Sequence, residues 1–161
     1  MIHDVIIVWA WAAWLFASIN LPKDKSKLIL EKNKSAWVKV LLSWWERANV
    51  SNINIEPLRD YFGQNKKALL SVFSRYNQWD IQSFFADSWI NIIEEDRWRL
   101  ILESWDSKEL LNLLLEKSRE NNATLKCDSE VLSISKTDDL FQIKTPYSNY
   151  SSKNVIIASW W

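Results

Sequence analysis

The sequence predicts an α/β fold: a βαβ unit with parallel core strands, then a helical insertion and a small β hairpin or meander. Three observations carry that reading. Residues 4–8 and 27–31 are short, nearly continuous apolar runs, the pattern of strands buried on both faces. The stretch between them has room for one helix, and strands joined by a helical crossover lie parallel. From residue 131 the apolar period changes to two, and Asp138-Asp139 is placed to turn a hairpin.

Taken in order, the chain opens with a strand at residues 4–8, a tight turn and a helix to about Asn20. Pro22 to Ser26 forms a polar loop before the second strand at residues 27–31. Residues 32–54 are polar and irregular. Residues 56–75 place Leu58, Phe62, Leu69, Leu70 and Phe73 at helical spacing. Asp80 can cap a helix through Ile81, Phe84 and Phe85. Residues 90–93 and 100–102 suit a small sheet. Asp106 and Glu109 have capping-box spacing and open a helix to about Glu120, with a stripe at Leu110, Leu111, Leu114 and Leu115. Val131 to Ser135 alternates and pairs with residues 140–145, and residues 154–158 read as a last buried strand. A chain that stops straight after such a strand reads as part of a larger, truncated fold.

Composition narrows the function. Lys plus Arg and Asp plus Glu number 20 each, so the net charge is zero. No strong field exists to steer nucleic acid or an anionic membrane, and neither is an expected partner. The apolar run at residues 5–17 is shorter than the roughly 20 residues a membrane helix needs. It is flanked by His3 and Asp4 rather than by Lys or Arg, so a cytoplasmic location is expected. Cys127 and His3 are single residues of their kinds, which excludes an intrachain disulfide and a zinc cluster. Cys127 reads as a small core residue, His3 as a strand-end residue, and no metal is expected.

One feature is anomalous. A chain of 161 residues should hold roughly eleven glycines at average usage. It holds one, Gly63, and 12 tryptophans. Reading glycine at Trp9, Trp11 and Trp14 turns Val8-Trp-Ala-Trp-Ala-Ala-Trp-Leu15 into the dinucleotide-binding fingerprint, placed after a strand and opening a helix. There the first glycine makes the turn, the second lets backbone approach a pyrophosphate, and the third lets helix and strand pack closely. Glu31 closes the second strand about 20 residues on, where an acid accepts hydrogen bonds from a ribose hydroxyl.

The stretch from Ser35 to Asn52 then resembles the G-x-K-x-x-x-S-G-G-G-R-C-N-x-T-N element of bacterial FAD-dependent flavoproteins of the aminoacetone-oxidase type. Trp37, Trp44 and Trp45 fall on that family's glycines, with Lys39, Ser43, Arg47, Asn49 and Asn52 on its other marked positions. Glu46 and Ala48 depart from it. Ser88-Trp89-Ile90, Asp96-Arg-Trp98-Arg99 and Ile157-Ala-Ser-Trp-Trp161 resemble three later elements, although Leu100-Ile101 replaces that family's Phe-Pro. Eleven tryptophans sit where this pattern or a turn such as Ser104-Trp105-Asp106 calls for glycine, and Trp79 alone reads as an ordinary tryptophan.

The resemblance implies an oxidoreductase's Rossmann-like, glutathione-reductase-like FAD domain, with the rest of the flavoprotein beyond Trp161. Its segments would be a dinucleotide unit (1–31), a flavin loop (32–54), an insertion (55–105) and a helix with strands (106–161). It implies FAD phosphates at Trp9, Ala10, Trp11, Ala12, Ala13 and Trp14, and ribose at Glu31 beside Lys32. Lys39, Ser43, Trp44, Trp45, Arg47, Asn49 and Ala158 would lie toward the flavin. Val131, in a strand after the long helix, would offer backbone groups to the adenine. NAD(P)H is a further partner the resemblance allows; the substrate and the catalytic residues are not legible.

As tryptophans, these residues oppose the function they outline, because glycine serves such turns by reaching positive φ and lacking Cβ. Impaired or absent FAD binding is therefore expected of this chain. Two other readings stand beside it. One is a non-catalytic α/β chain with a tryptophan-rich interaction surface; the other is an altered or computed sequence without activity.

Overall fold

A computed structural model describes residues 1–9, 12–35, 49–62 and 65–157. In chain order these form β1 (Ile2–Val8), α1 (Ala12–Asn20), β2 (Lys27–Leu30), β3 (Asn49–Asn52), α2 (Pro57–Asp60), α3 (Lys66–Phe73) and α4 (Gln78–Asp87). There follow β4 (Ile92–Glu95), a 3-10 turn (Asp96–Trp98), β5 (Arg99–Leu102), α5 (Ser107–Glu120), β6 (Ala123–Lys126), β7 (Ser133–Thr137), β8 (Leu140–Lys144) and β9 (Asn149–Ile157). The chain divides into two compact units, residues 1–42 with 111–161, and residues 43–110.

The first unit is built on a six-stranded sheet of order β6-β2-β1-β9-β8-β7. Its βαβ start is as the apolar runs predict: β1 and β2 are parallel, with Val5 opposite Lys27 and Val8 opposite Leu30. β6 extends the parallel set beyond β2, and β9 lies parallel to β1 on its other side. The last strand begins earlier than the apolar run at residues 154–158 indicates: the polar residues Asn149 to Lys153 are strand as well, paired with β8 and β1 on the two sides. The hairpin forms as expected, with Thr137 opposite Leu140 and Asp138 at φ 54° in the turn. Val131 departs from expectation: it precedes β7 in irregular chain, and the strand following α5 is β6.

Among the described residues of this unit, Ile6, Ile7, Leu15, Ile29, Leu30 and Ile143 are the fully buried apolar side chains. On α1, Ser18 faces inward and shares a hydrogen bond of 2.7 Å with the Ser118 hydroxyl of α5. The carbonyls ending α1 have no helical partners of their own. The Asn121 side-chain amide supplies them, donating to the Ser18, Ile19 and Leu21 carbonyls at 2.8, 2.9 and 2.8 Å. Asn121 also accepts, through its own carbonyl, from the ammonium of Lys27, a lysine only 2% exposed.

The second unit holds a three-stranded antiparallel sheet, β3-β5-β4, above a core of Phe85, Leu100, Ile101 and Leu102. β3 is a strand that its polar sequence, Asn49-Val-Ser-Asn52, does not announce. The helix expected over residues 56–75 is two short helices, α2 and α3. At α4 the cap is Asn77, not Asp80. The Asn77 side chain accepts from Trp79 N–H at 2.8 Å, and Asp80 closes a capping box by accepting from Asn77 N–H at 2.7 Å. Asp106 does cap α5, accepting from Lys108 N–H at 2.8 Å, while the Glu109 carboxylate is held by the Ser104 hydroxyl instead of closing the box.

Asp4 ties three segments of the first unit together. Its carboxylate accepts from Lys153 Nζ at 2.8 Å and from the Ser26 N–H and hydroxyl at 3.0 Å each. The Lys153 hydrogen bond above all, then the two from Ser26, holds this carboxyl well below the usual carboxylate range. Its contribution to stability is complete above the unfolded value of about 4 and is lost as pH falls below that. Asp4→Asn should therefore lower stability near neutrality and flatten its decline below about pH 4, measured by denaturant titration across pH. Asn121→Ala should cost about 1–3 kcal/mol by orphaning the carbonyls that end α1. A lowered urea midpoint at unchanged slope would report it.

Candidate functional site

In an open parallel sheet, ligands bind outside the carboxyl ends of the strands, at the point where strand order reverses. Here the chain steps outward from β1 to β2 to β6, then returns to place β9 on the far side of β1. The reversal therefore falls between β1 and β9, where Val8 lies opposite both Leu30 and Ile157. Trp9 is the next residue. Its N–H donates to the Leu30 carbonyl at 2.7 Å and its φ is 82°. That conformation is open to glycine and is an outlier for a bulky residue.

Glu31 stands at the same edge, as its spacing predicts, immediately after β2. It is 1% exposed. Its Oε1 accepts from the Asn33 N–H at 2.9 Å and from Asn33 Nδ2 at 2.6 Å. Its backbone is pinned on both sides: Glu31 N–H donates to the Lys126 carbonyl at 2.9 Å, and Ser129 N–H donates to the Glu31 carbonyl at 2.8 Å. Asn33, Asp128 and Ser129 were not singled out from sequence. An Asn two residues after an acid is the one local signal that could have flagged Asn33. Lys32 is exposed, Ala12 is half-buried and Ala13 exposed on α1. Val131 packs against the cluster of Ile6, Val8, Leu28, Leu30 and Ile143, and so does Trp9.

Asn49 is the first residue of β3 in the second unit and is exposed. Ala10, Trp11, Lys39, Ser43, Trp44, Trp45, Arg47 and Ala158 lie outside the described residues. His3 lies in β1, and burial, then the nearby N-terminus, lowers its pKa against the opposing pull of Asp4. Cys127 is half-buried. Among the described residues, no three or more His, Cys, Asp or Glu are grouped to hold a metal ion. No described helix is long and apolar enough to cross a membrane. The second unit carries a groove of about 560 Å³ beside Asn52, Arg59 and Trp98. Its Arg59 is committed to Asp60, at 2.7 Å, and that pairing draws the Asp60 carboxyl down to about 2.

Trp9 takes the backbone conformation that the fingerprint's first glycine supplies. Trp9 carries an indole where the fingerprint needs no side chain. Trp14 lies on α1 with its Nε1 buried and without a hydrogen-bond partner, a loss of about 1–3 kcal/mol. The other tryptophans at positive φ repeat the pattern in unrelated turns. Trp89 (φ 59°) follows α4 with its N–H on the Ala86 carbonyl and Ile90 N–H on the Phe85 carbonyl. This is a Schellman motif with tryptophan at the left-handed position that glycine usually fills. Trp98 (φ 60°) ends the three-residue β4–β5 hairpin loop, again a glycine position. Trp105 (φ 60°) closes a turn onto the Leu102 carbonyl just before the cap of α5.

This sheet order, edge and turn define a Rossmann-like dinucleotide-binding domain. The model of the HI0933-like protein Rossmann domain family matches residues 3–160, and the chain belongs to that family. A curated relative, ribosomal RNA dihydrouridine synthase of Escherichia coli (strain K12), is 26% identical over 157 residues, 97% of this chain and 39% of the relative. The chain thus spans well under half of that relative's length. Among solved structures, THI4 of Thermovibrio ammonificans matches 98% of the chain and 57% of its own at TM-score 0.64 and 14% identity. Glycine oxidase of Geobacillus kaustophilus matches 98% and 55% at TM-score 0.57 and 12% identity. At such identities these two share the fold.

Relieving the left-handed tryptophans should stabilise the chain. Forcing an L-residue into that region costs about 1–2 kcal/mol, against about 0.5–1 kcal/mol for the freedom glycine restores to the unfolded chain. Trp89 is 95% exposed, so its removal gives up little burial. Trp89→Gly should raise the unfolding free energy by roughly 0.5–1 kcal/mol, read as a higher denaturant midpoint at unchanged slope, and Trp89→Ala, which keeps Cβ, should gain much less. Equal gains from both would show that the indole, not the backbone, is the source of strain.

Proposed function

We propose that this chain is the FAD-binding part of a flavoprotein oxidoreductase, and that tryptophan in its turns weakens or abolishes cofactor binding. The observation that carries this is Trp9 at φ 82°, hydrogen-bonded to Leu30 at the reversal point of a parallel sheet. FAD, where bound, supplies the redox chemistry of such proteins, and the protein supplies position and electrostatics. This chain's own residues would contribute three things. The turn at residues 9–14 would bring backbone and the N-terminus of α1 to the pyrophosphate, whose charge a helix start favours. Glu31 would accept from ribose hydroxyls, its carboxylate already oriented by Asn33. Val131 would offer backbone groups to the adenine, and the segment containing Lys39, Ser43, Arg47 and Asn49 would serve the flavin.

The finer assignment, to flavoproteins of the aminoacetone-oxidase type, rests on the Ser35–Asn52 sequence pattern. The curated relative is named for a reaction on ribosomal RNA. The zero net charge of this chain gives the part in hand no field for a phosphate backbone. A flavin-binding role is thus proposed for this part, whatever substrate the whole protein takes, with NAD(P)H as the electron source the resemblance allows.

The test compares the chain with a version carrying glycine at every tryptophan except Trp79, each titrated with FAD and followed by flavin fluorescence. The glycine version should bind stoichiometrically, and Glu31→Ala in that background should weaken binding about tenfold or more, the scale of a lost charge-assisted hydrogen bond. The tryptophan chain should release no stoichiometric flavin on heating. Equal binding by both chains would overturn the claim of impairment; binding by neither would overturn the flavin reading.

A further inference from the structure

The tryptophans pose a question that flavin binding does not answer: why one residue type occupies left-handed positions in structurally unrelated turns. Trp9 follows a strand, Trp89 ends a helix, Trp98 ends a hairpin loop and Trp105 precedes a helix cap, at φ 82, 59, 60 and 60°. The other described non-glycine residues at positive φ are Arg97, Asn122, Asp128 and Asp138. Three of these are Asn or Asp, whose short polar side chains tolerate the region. Tryptophan has no such excuse. Nor does packing explain the choice, since Trp89, Trp98 and Trp105 are 95, 54 and 44% exposed.

Independent point substitutions would not sort tryptophan onto glycine's conformations while emptying the chain of glycine, of which Gly63 alone remains. A rule acting on one codon would. We infer that Trp9, Trp14, Trp89, Trp98 and Trp105 are encoded by a codon that the cell making this protein reads as glycine. The chain it makes then carries glycine at these positions. UGA is the codon that fits: it lies one base from the tryptophan codon UGG and one base from the glycine codon GGA. Reading it as tryptophan exchanges the two residues at every such position at once and leaves ordinary UGG tryptophans in place. Trp79 is the internal control. It sits in the first turn of α4 next to the Asn77 cap, outside the positive-φ residues, where glycine has no advantage. Trp14 fits the other group, since its indole N–H is buried without a partner on the helix face where the fingerprint places its third glycine.

The inference rests on backbone conformation and stands apart from the flavin reading. Its test is the gene together with peptide mass spectrometry of the protein isolated from its own cells. The expected result is UGA at codons 9, 14, 89, 98 and 105, UGG at codon 79, and peptides whose masses place glycine at the five positions and tryptophan at 79. UGG codons at the five positions, or native peptides carrying tryptophan there, would overturn it. The two proposals can fail separately. Glycine-bearing native peptides with no FAD binding would leave the decoding inference standing and sink the flavin reading. Tryptophan-bearing native peptides beside a flavin-binding glycine variant would do the reverse.

Discussion

Leaving the sheet after β1 requires a left-handed residue, and the rest of the carboxyl edge is arranged around that requirement. Val8 is held from both sides by Leu30 and Ile157, and α1 begins at Ala12. Residue 9 turns at φ 82° while its N–H stays on the Leu30 carbonyl. That hydrogen bond locks the turn to the end of β2, and the end of β2 is locked in turn to β6 through Glu31 and Lys126. The position of Glu31, the buried acid among the described residues at this edge, is therefore linked to the backbone angle of a residue that carries no charge.

A site made this way is built from main chain. On the proposed reading its recognition elements would be N–H groups at a helix start and the space left by absent side chains, with Glu31 and the Asn33 that donates to it beside them. Hence no obvious acid–base pair stands out in the sequence, and hence the vulnerability on that reading: a Cβ at residue 9 changes no charge and removes no hydrogen-bonding group, yet it would take room the ligand needs. The energetic scale agrees. Four left-handed tryptophans at about 1–2 kcal/mol each would consume a large share of a typical stability of about 5–15 kcal/mol.

What the sequence discloses of this structure is what local pattern can encode. The apolar runs of β1 and β2, the stripe of α5 and the Asp138-Asp139 turn all declare themselves within a few residues. So does Glu31, by its distance from the turn. What stays hidden depends on partners far away in the chain. β3 is polar and becomes a strand only because β5 pairs with it; the first half of β9 is polar too, and β1 and β8 flank it. The cap of α4 was misplaced because Asn77 and Asp80 both have capping chemistry, and only geometry assigns one to the cap and the other to the third helical position. Asn33 is harder to read, because its role is to hold another side chain.

Exposure alone would favour an interaction surface, since indoles open to solvent are common anchors for partners. The backbone weighs against it. A binding anchor gains nothing from sitting at a left-handed φ, because the strain stabilises neither the free nor the bound state. Selection for contact would have placed tryptophan on strands or helix faces, as Trp79 is placed. Trp89 makes the contrast sharpest: it is nearly fully exposed, as an anchor would be, yet it occupies the left-handed position of a Schellman motif whose two hydrogen bonds are both made. The motif is intact, so the fold was shaped for a residue there that meets no steric resistance. Among the genetically encoded residues that is glycine.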